Sequence, residues 1–120
     1  MHVFEVRRGE LMESIADQAA TAGIADGAIV SLIGAVDAFT VSTMSGTDAT
    51  KDQRTYYTCP AELGGTGEIR DGDVHIHAVL AIAGDKAIAG HLLHARVETH
   101  FVRAYVLYSP RFPHSSGGRP

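Results

Sequence analysis

The chain has 120 residues, 45% of them apolar, so its length and composition suit one globular domain and argue against a disordered chain. Ten Lys and Arg against fourteen Asp and Glu give a formal net charge of −4, which argues against direct DNA binding because phosphate contacts supply most of that affinity. Cys59 is the only cysteine, which excludes an intramolecular disulfide, and the absence of an apolar signal or membrane-spanning run predicts a cytoplasmic protein.

One helix and six to seven strands are predicted from the spacing of apolar residues. Leu11, Ile15 and Ala19 recur at helical spacing, whereas the strand segments are short, apolar and rich in β-branched residues. In chain order the predicted elements are a strand over 3–6, a helix over 9–22, and strands over 28–36, 39–44, 54–63, 74–82, 86–92 and 97–107. Short turns between the strands predict an α+β fold, an antiparallel sheet with one main flanking helix.

Glycines lie at several points within and between the predicted strands. Gly34 lies inside an apolar strand and predicts a bulge or a close backbone approach, while Gly64-Gly65 predicts a break after the strand that Pro60 disturbs. The segments 70–73 and 83–85 predict turns. Residues 1–108 are therefore assigned to one domain, and the Pro- and Gly-containing residues 109–120 to a flexible C-terminal tail.

The sequence His75-Ile76-His77 is the most informative triplet of the chain. Strand side chains alternate, so both imidazoles point to one face, about 7 Å apart along the strand. That spacing lets two ring nitrogens converge on one ion about 2 Å from each. Neutral imidazole is the form that binds metal, and histidine provides it at pH 7.

A third ligand is expected from the following strand, and the turn length decides which residue supplies it. A three-residue turn at 83–85 places His77 opposite His91, whereas a two-residue turn at 84–85 places His75 opposite His94. A slip of one residue moves each side chain to the other face, so both registers stay open from the sequence. Gly90 could also mark a bulge that redirects the ring of His91.

Zinc is the first candidate ion, because three histidines and a water form a common open zinc site. Nickel, copper and iron also accept imidazole. Glu62 is the candidate general base, and Cys59 is interpreted as a small core residue. His94 and His100 are otherwise interpreted as surface or interface residues.

Several segments together resemble the core signature of the plant-and-prokaryote-conserved (PPC) domain family. The signature is similar to residues 75–81 (HIHAVLA), Gly84-Asp85 and 89–92 (AGHL), and residues 30–36 (VSLIGAV) resemble the family's apolar strand ending in Gly-Ala. The similarity extends over about residues 3–107. It implies a homotrimer, and it implies that His75, His77 and His91 are the matching metal positions, which favours the three-residue turn.

The resemblance also implies a regulatory, DNA-associated role, because plant relatives attach this domain to AT-hooks and use it to associate with other proteins. The chain lacks the Arg-Gly-Arg-Pro centre of an AT-hook, since Gly118-Arg119-Pro120 follows Gly117, so protein partners are expected rather than DNA itself. The alternative is a metal-dependent hydrolase or lyase that acts on a small molecule, because three histidine ligands leave an open position.

Overall fold

The structure is a computed structural model that describes residues 1–108. It contains, in chain order, β1 (His2–Val6), β2 (Gly9–Glu10), α1 (Leu11–Thr21), β3 (Gly27–Val36), β4 (Ala38–Met44), β5 (Asp52–Tyr57), β6 (Ala61–Arg70), β7 (Asp73–Ile82), β8 (Lys86–Val97) and β9 (Val102–Leu107). The tail predicted over 109–120 lies outside the described residues. No helix in the described part of the chain has the length and apolar character needed to cross a lipid bilayer.

All strand pairs are antiparallel, in the order β1-β9-β3-β6-β7-β8-β4-β5, with β2 paired to β8. This arrangement confirms the antiparallel α+β fold with one helix. The sheet has nine strands, so the expected six to seven was wrong. Two differences account for the larger number. The two-residue β2 has no recognisable apolar pattern, and the segment predicted as one strand over 54–63 belongs to two strands, β5 and β6, which are separated at Pro60.

The predicted break at Gly64-Gly65 is absent, because β6 continues through both residues. A Cβ at Gly65 would lie 2.4 Å from the carbonyl oxygen of His77, and one at Gly67 would lie 2.2 Å from that of His75. The glycines therefore permit a close approach of β6 to β7. Hydrogen bonds from the two flanking strands hold the segment extended despite its poor intrinsic strand preference.

The last predicted strand is also shorter than expected. Val97 ends β8, and residues 98–101 form a connection before β9 starts at Val102. Asp37 fixes this connection, because its carboxylate accepts hydrogen bonds from the backbone N–H groups of Glu98 at 2.8 Å and Thr99 at 3.1 Å, and from the Thr99 hydroxyl at 2.6 Å. These bonds hold the pKa of Asp37 below its usual value, with the Thr99 hydroxyl as the largest cause.

The sheet curls around its helix. Only Arg7 and Arg8 separate β1 from β2, yet β1 pairs with β9 and β2 pairs with β8, which lies four places beyond β9 in the sheet. The side chains that face α1 form the core, including Leu11, Ile15 and Ala19 of the helix itself. The opposite face, called here the outer face, has no helix packed on it in the described residues and carries the histidines.

Gly34 makes the close backbone approach predicted from its position in β3. Its φ is +151°, and a Cβ there would lie 2.0 Å from the carbonyl oxygen of Phe101. The irregular register of β3 occurs earlier, between Ile29 and Leu32. The glycine therefore serves the contact with the connection to β9 and does not form the bulge itself.

Candidate metal centre

His75 and His77 both project from the outer face of β7. Exposure alternates along this strand, with Ile76, Ala78 and Leu80 buried and the two histidines exposed between and before them. The alternation follows from the pleat of a strand that has a core on one side only. The two ring centroids lie 4.9 Å apart. The sequence prediction that both imidazoles share one face is confirmed.

The β7–β8 turn has the three-residue form. Ile82 pairs with Lys86 and His77 pairs with His91, so Ala83, Gly84 and Asp85 form the loop. Gly84 and Asp85 have φ values of +84° and +61°, the left-handed conformation that glycine and aspartate adopt most readily at such turns. Of the two registers left open by the sequence, the structure selects the one that places His91 beside His77.

The three imidazoles form a compact triangle. The ring centroid of His91 lies 4.5 Å from that of His75 and 6.0 Å from that of His77. Histidine rings that share one tetrahedral zinc have centroids about 5 Å apart, because each Zn–N bond is about 2.0–2.1 Å long. The ring centroids of the triangle are therefore about as far apart as those of histidines that share a zinc ion.

The rings meet at steep angles, with interplanar angles of 85°, 61° and 57° within the triangle. Among residues 1–108, no group of three His, Cys, Asp or Glu side chains is already arranged to hold a metal ion. The backbone thus brings the three histidine residues together, and their side-chain torsions leave the ring of His75 in edge-to-face contact with those of His77 and His91. Rotation about the side-chain bonds is the adjustment that coordination of one ion requires.

The surroundings of His91 favour its neutral imidazole form. The pKa of His91 is lowered, first by partial burial, then by the neighbouring His75 and His77, and further by Arg54. Neutral His91 offers a lone pair to a metal without first losing a proton. On the other side of the cluster, the carboxylate of Glu68 lies 3.9 Å from Nδ1 of His75.

Glu68, and not Glu62, is the carboxylate next to the triangle. Glu68 pairs with His75 across β6 and β7, whereas Glu62 pairs with Ala81 and lines a separate groove that also includes His100. The position of Glu68 could have been found from the sequence, because a tight turn that pairs Arg70 with Asp73 brings Glu68 opposite His75. The catalytic role assigned to Glu62 stays a prediction.

His94 and Cys59 lie outside the triangle. His94 is 71% exposed, and its Nδ1 lies 3.9 Å from the Glu10 carboxylate at the start of α1. His91 pairs with Ser42 of β4, whereas a register shift pairs His94 with Thr40, two residues away along that strand. Cys59 is partly buried and packs against the core, as its interpretation as a core residue predicts.

An open groove of about 980 Å³ begins at His77 and His91. Its lining includes Val79 and Ala89 from the outer face of β7 and β8, and Thr50 and Lys51 from the β4–β5 connection. Lys51 has no sequence signal that places it at the site, because the β4–β5 connection is far from the histidines in sequence. A ligand bound at the triangle would extend along this groove.

The family described as the Plants and Prokaryotes Conserved (PCC) domain matches residues 1–109. No curated protein matches the chain. Several solved structures share its fold, including a "Putative DNA-binding protein" from Ralstonia eutropha, with a TM-score of 0.76 and 18% identity over 90% of this chain and 77% of that one.

Two archaeal structures are similar to the chain as well. A metal-containing protein from Archaeoglobus fulgidus gives a TM-score of 0.69 and 23% identity, over 86% of this chain and 76% of that one. A plant- and prokaryote-conserved (PPC) protein from Pyrococcus horikoshii gives a TM-score of 0.66 and 18% identity, over 90% and 79%. At these identities the structural matches establish the fold alone.

Proposed function

The chain belongs to the Plants and Prokaryotes Conserved (PCC) domain family, the PPC family of the sequence resemblance, and we propose that it is a homotrimeric regulatory module that binds a metal ion. His75, His77 and His91 are the proposed ligands, and zinc is the proposed ion. Nickel, copper or iron would use the same imidazole donors. The protein is proposed to act in the cytoplasm.

The observation that carries the metal proposal is the triangle of imidazoles on one face of two paired strands. Ring centroids 4.5–6.0 Å apart suit nitrogen donors that share one ion. The similarity to the metal-containing protein from Archaeoglobus fulgidus supports the proposal. Three protein ligands leave one position of a tetrahedral ion open, and a bound metal would supply Lewis-acid character there.

Elemental analysis of the purified protein tests the metal site. We expect about one zinc, or another imidazole-binding metal, per chain in the natural protein, and a loss of at least tenfold in metal content for His77→Ala. His94→Ala is the matched control, because His94 is an exposed histidine of β8 outside the triangle. Absence of metal from the natural protein after reconstitution, or equal loss in both variants, would contradict the proposal.

The homotrimer is proposed from the family resemblance, and exposed apolar side chains support it. Val3, Ile33 and Leu107 are 49%, 56% and 54% exposed and lie on the adjacent strands β1, β3 and β9. Pairing of Val3 with Tyr105, and of Ile33 with Arg103, places all three on the outer face. Apolar side chains grouped in this way are typical of contacts between proteins.

The DNA-associated role is proposed to act through protein partners. The similarity to the "Putative DNA-binding protein" from Ralstonia eutropha supports an association with DNA. The formal charge of −4 opposes direct contact with phosphates. Tight binding of the purified chain to duplex DNA at physiological salt, weakening steeply as salt rises, would overturn the preference for protein partners.

A metal-dependent hydrolase or lyase is the second candidate function, and the groove beside His77 and His91 favours it. A catalyst needs room for a substrate next to the open ligand position, and this groove supplies it. The proposed proton acceptor is Glu68, whose carboxylate lies 3.9 Å from Nδ1 of His75. The natural protein can be assayed for hydrolysis of a small ester and for addition or removal of water by a lyase reaction. An activity that is lost in both His77→Ala and Glu68→Gln would favour the enzyme over the regulatory module.

A further inference from the structure

The groove that starts at His77 and His91 combines an apolar floor with a cationic rim, a combination that metal binding alone does not require. Val79 and Met44 line it with large apolar side chains that are 51% and 67% exposed, and Ala89 adds a small one between them. The row formed by Val79 and Ala89 runs across β7 and β8 directly beside the row formed by His77 and His91. An apolar ligand body could therefore lie flat beside the triangle.

Lys51 supplies the cation at the rim. It lines the groove, and among residues 1–108 its ammonium group forms no ion pair. Arg54 adds positive potential near His91, but its guanidinium is paired with Asp52 at 3.2 Å. Lys51 is therefore the cation that is free to contact an anion in this groove.

The connection that carries Lys51 is held in place by its own hydrogen bonds. The N–H of Ser45 donates to the carbonyl of Lys51 at 2.8 Å, and the N–H of Lys51 donates to the carbonyl of Asp48 at 3.1 Å. The Asp48 carboxylate accepts from both the N–H and the hydroxyl of Thr50, at 3.0 and 2.6 Å. Lys51 is thus presented from a defined backbone position, which lowers the entropic cost of binding an anion there.

We infer that this groove binds a small carboxylic acid with an apolar tail. The carboxylate lies between Lys51 and the open position at the histidine triangle, and the tail covers Val79, Ala89 and Met44. The inference rests on the proposed metal function, because the metal supplies the second positive group that faces the carboxylate. Phosphate fits less well, because it usually needs several donors or a helix N-terminus, whereas this groove offers one free ammonium.

Cobalt(II) substitution tests the ligand class independently of any catalytic activity. Cobalt bound by the three histidines gives visible absorption bands, and a carboxylate that enters the coordination sphere shifts them. Acetate, hexanoate, hexan-1-ol and inorganic phosphate are the probes to be titrated. We expect hexanoate to bind about tenfold more tightly than acetate, because its four additional methylenes are partly buried on the groove floor. Hexan-1-ol and phosphate should shift the bands at least tenfold more weakly than hexanoate.

Lys51→Gln and Lys86→Gln form a matched pair of variants for this test. Lys51 lines the groove, whereas Lys86 starts β8 and does not line it. We expect Lys51→Gln to weaken hexanoate binding about three- to tenfold and to leave the cobalt spectrum without hexanoate unchanged. Lys86→Gln should bind hexanoate as the natural protein does.

The outcomes separate the ligand from the metal. If hexanoate does not shift the cobalt bands, the carboxylate site is overturned and the metal site still stands. The same conclusion follows if a second copy of the chain covers the groove. Tighter binding of phosphate than of hexanoate, or equal hexanoate affinity in the natural protein and Lys51→Gln, would also overturn the carboxylate site. Absence of cobalt bands from the natural protein would instead reject the metal proposal on which this site depends.

Discussion

His91 is the partly buried member of the histidine triangle, while His75 and His77 are exposed. Burial is the first cause of its lowered pKa, followed by the two neighbouring imidazoles. Well above pH 6.5 the His91 ring is neutral in both the folded and the unfolded chain, so its lowered pKa does not reduce the free energy of unfolding there. As the pH falls further, the unfolded chain takes up this proton more readily than the folded chain.

We therefore expect the free energy of unfolding of the metal-free protein to fall between pH 7 and pH 5, and the fall to be smaller in His91→Asn. Urea unfolding at several pH values measures the difference. His94→Asn is the control, because His94 lies on the same strand but outside the triangle. An unchanged pH dependence in His91→Asn would show that other groups control acid stability.

Gly34 is the residue whose replacement should be most costly to the fold. A methyl group there would lie 2.0 Å from the carbonyl oxygen of Phe101, and the φ of +151° adds strain for any L-residue. We expect Gly34→Ala to lower the free energy of unfolding by about 3 kcal/mol or more. Gly46→Ala is the control, since nothing lies within 4 Å of a Cβ at that position. Equal stability of both variants by urea unfolding would contradict this account.

At the scale of elements, Glu10 joins the helix to the sheet. Its carboxylate caps α1 by accepting from the N–H groups of Met12 and Glu13, at 3.1 and 2.8 Å, and it also accepts from Ala95 of β8 at 2.9 Å. The cap thus satisfies two otherwise unpaired helix donors and fixes the helix start against the strand that carries His91.

Glu10→Ala should destabilise the protein by about 2–3 kcal/mol, because it removes the cap and leaves the N–H of Ala95 without its acceptor. Glu13→Ala, in the same first turn but with an exposed side chain, should cost less than about 0.5 kcal/mol. Chemical denaturation of the two variants measures the contrast. Similar losses in both would assign the effect to charge near the helix terminus and not to the three hydrogen bonds.

At the scale of the whole molecule, the outer face has no helix packed on it in the described residues and carries exposed apolar side chains. We expect light scattering of the purified protein to give three times the 12.7 kDa mass of one chain. Ile33→Glu should lower that mass, because burial of an unpaired charge opposes association. Tyr56→Glu, at an exposed position of the edge strand β5, should leave it unchanged. A monomer at micromolar concentration in the natural protein would contradict the trimer.

The sequence by itself determined the fold class, the helix, most strands and the shared face of His75 and His77. These features depend on local periodicity, which is visible in a single segment because strand side chains alternate and helix side chains recur every three to four residues. The Gly34 contact was likewise predictable, since a glycine within an apolar strand commonly marks a close approach. The PPC resemblance, confirmed by the family match, rested on similarly local motifs.

Only the tertiary structure decided the register of β7 and β8, the continuity of β6 through its glycines and the position of Lys51 in the groove. Register depends on turn conformation, and a slip of one residue would have moved His91 to the core face. The poor strand preference of Gly64 and Gly65 was outweighed by hydrogen bonds from the neighbouring β7 and from β3, which lies far from β6 in the chain. Such contacts between distant segments have no signal in local sequence, because each segment alone is compatible with several pairings.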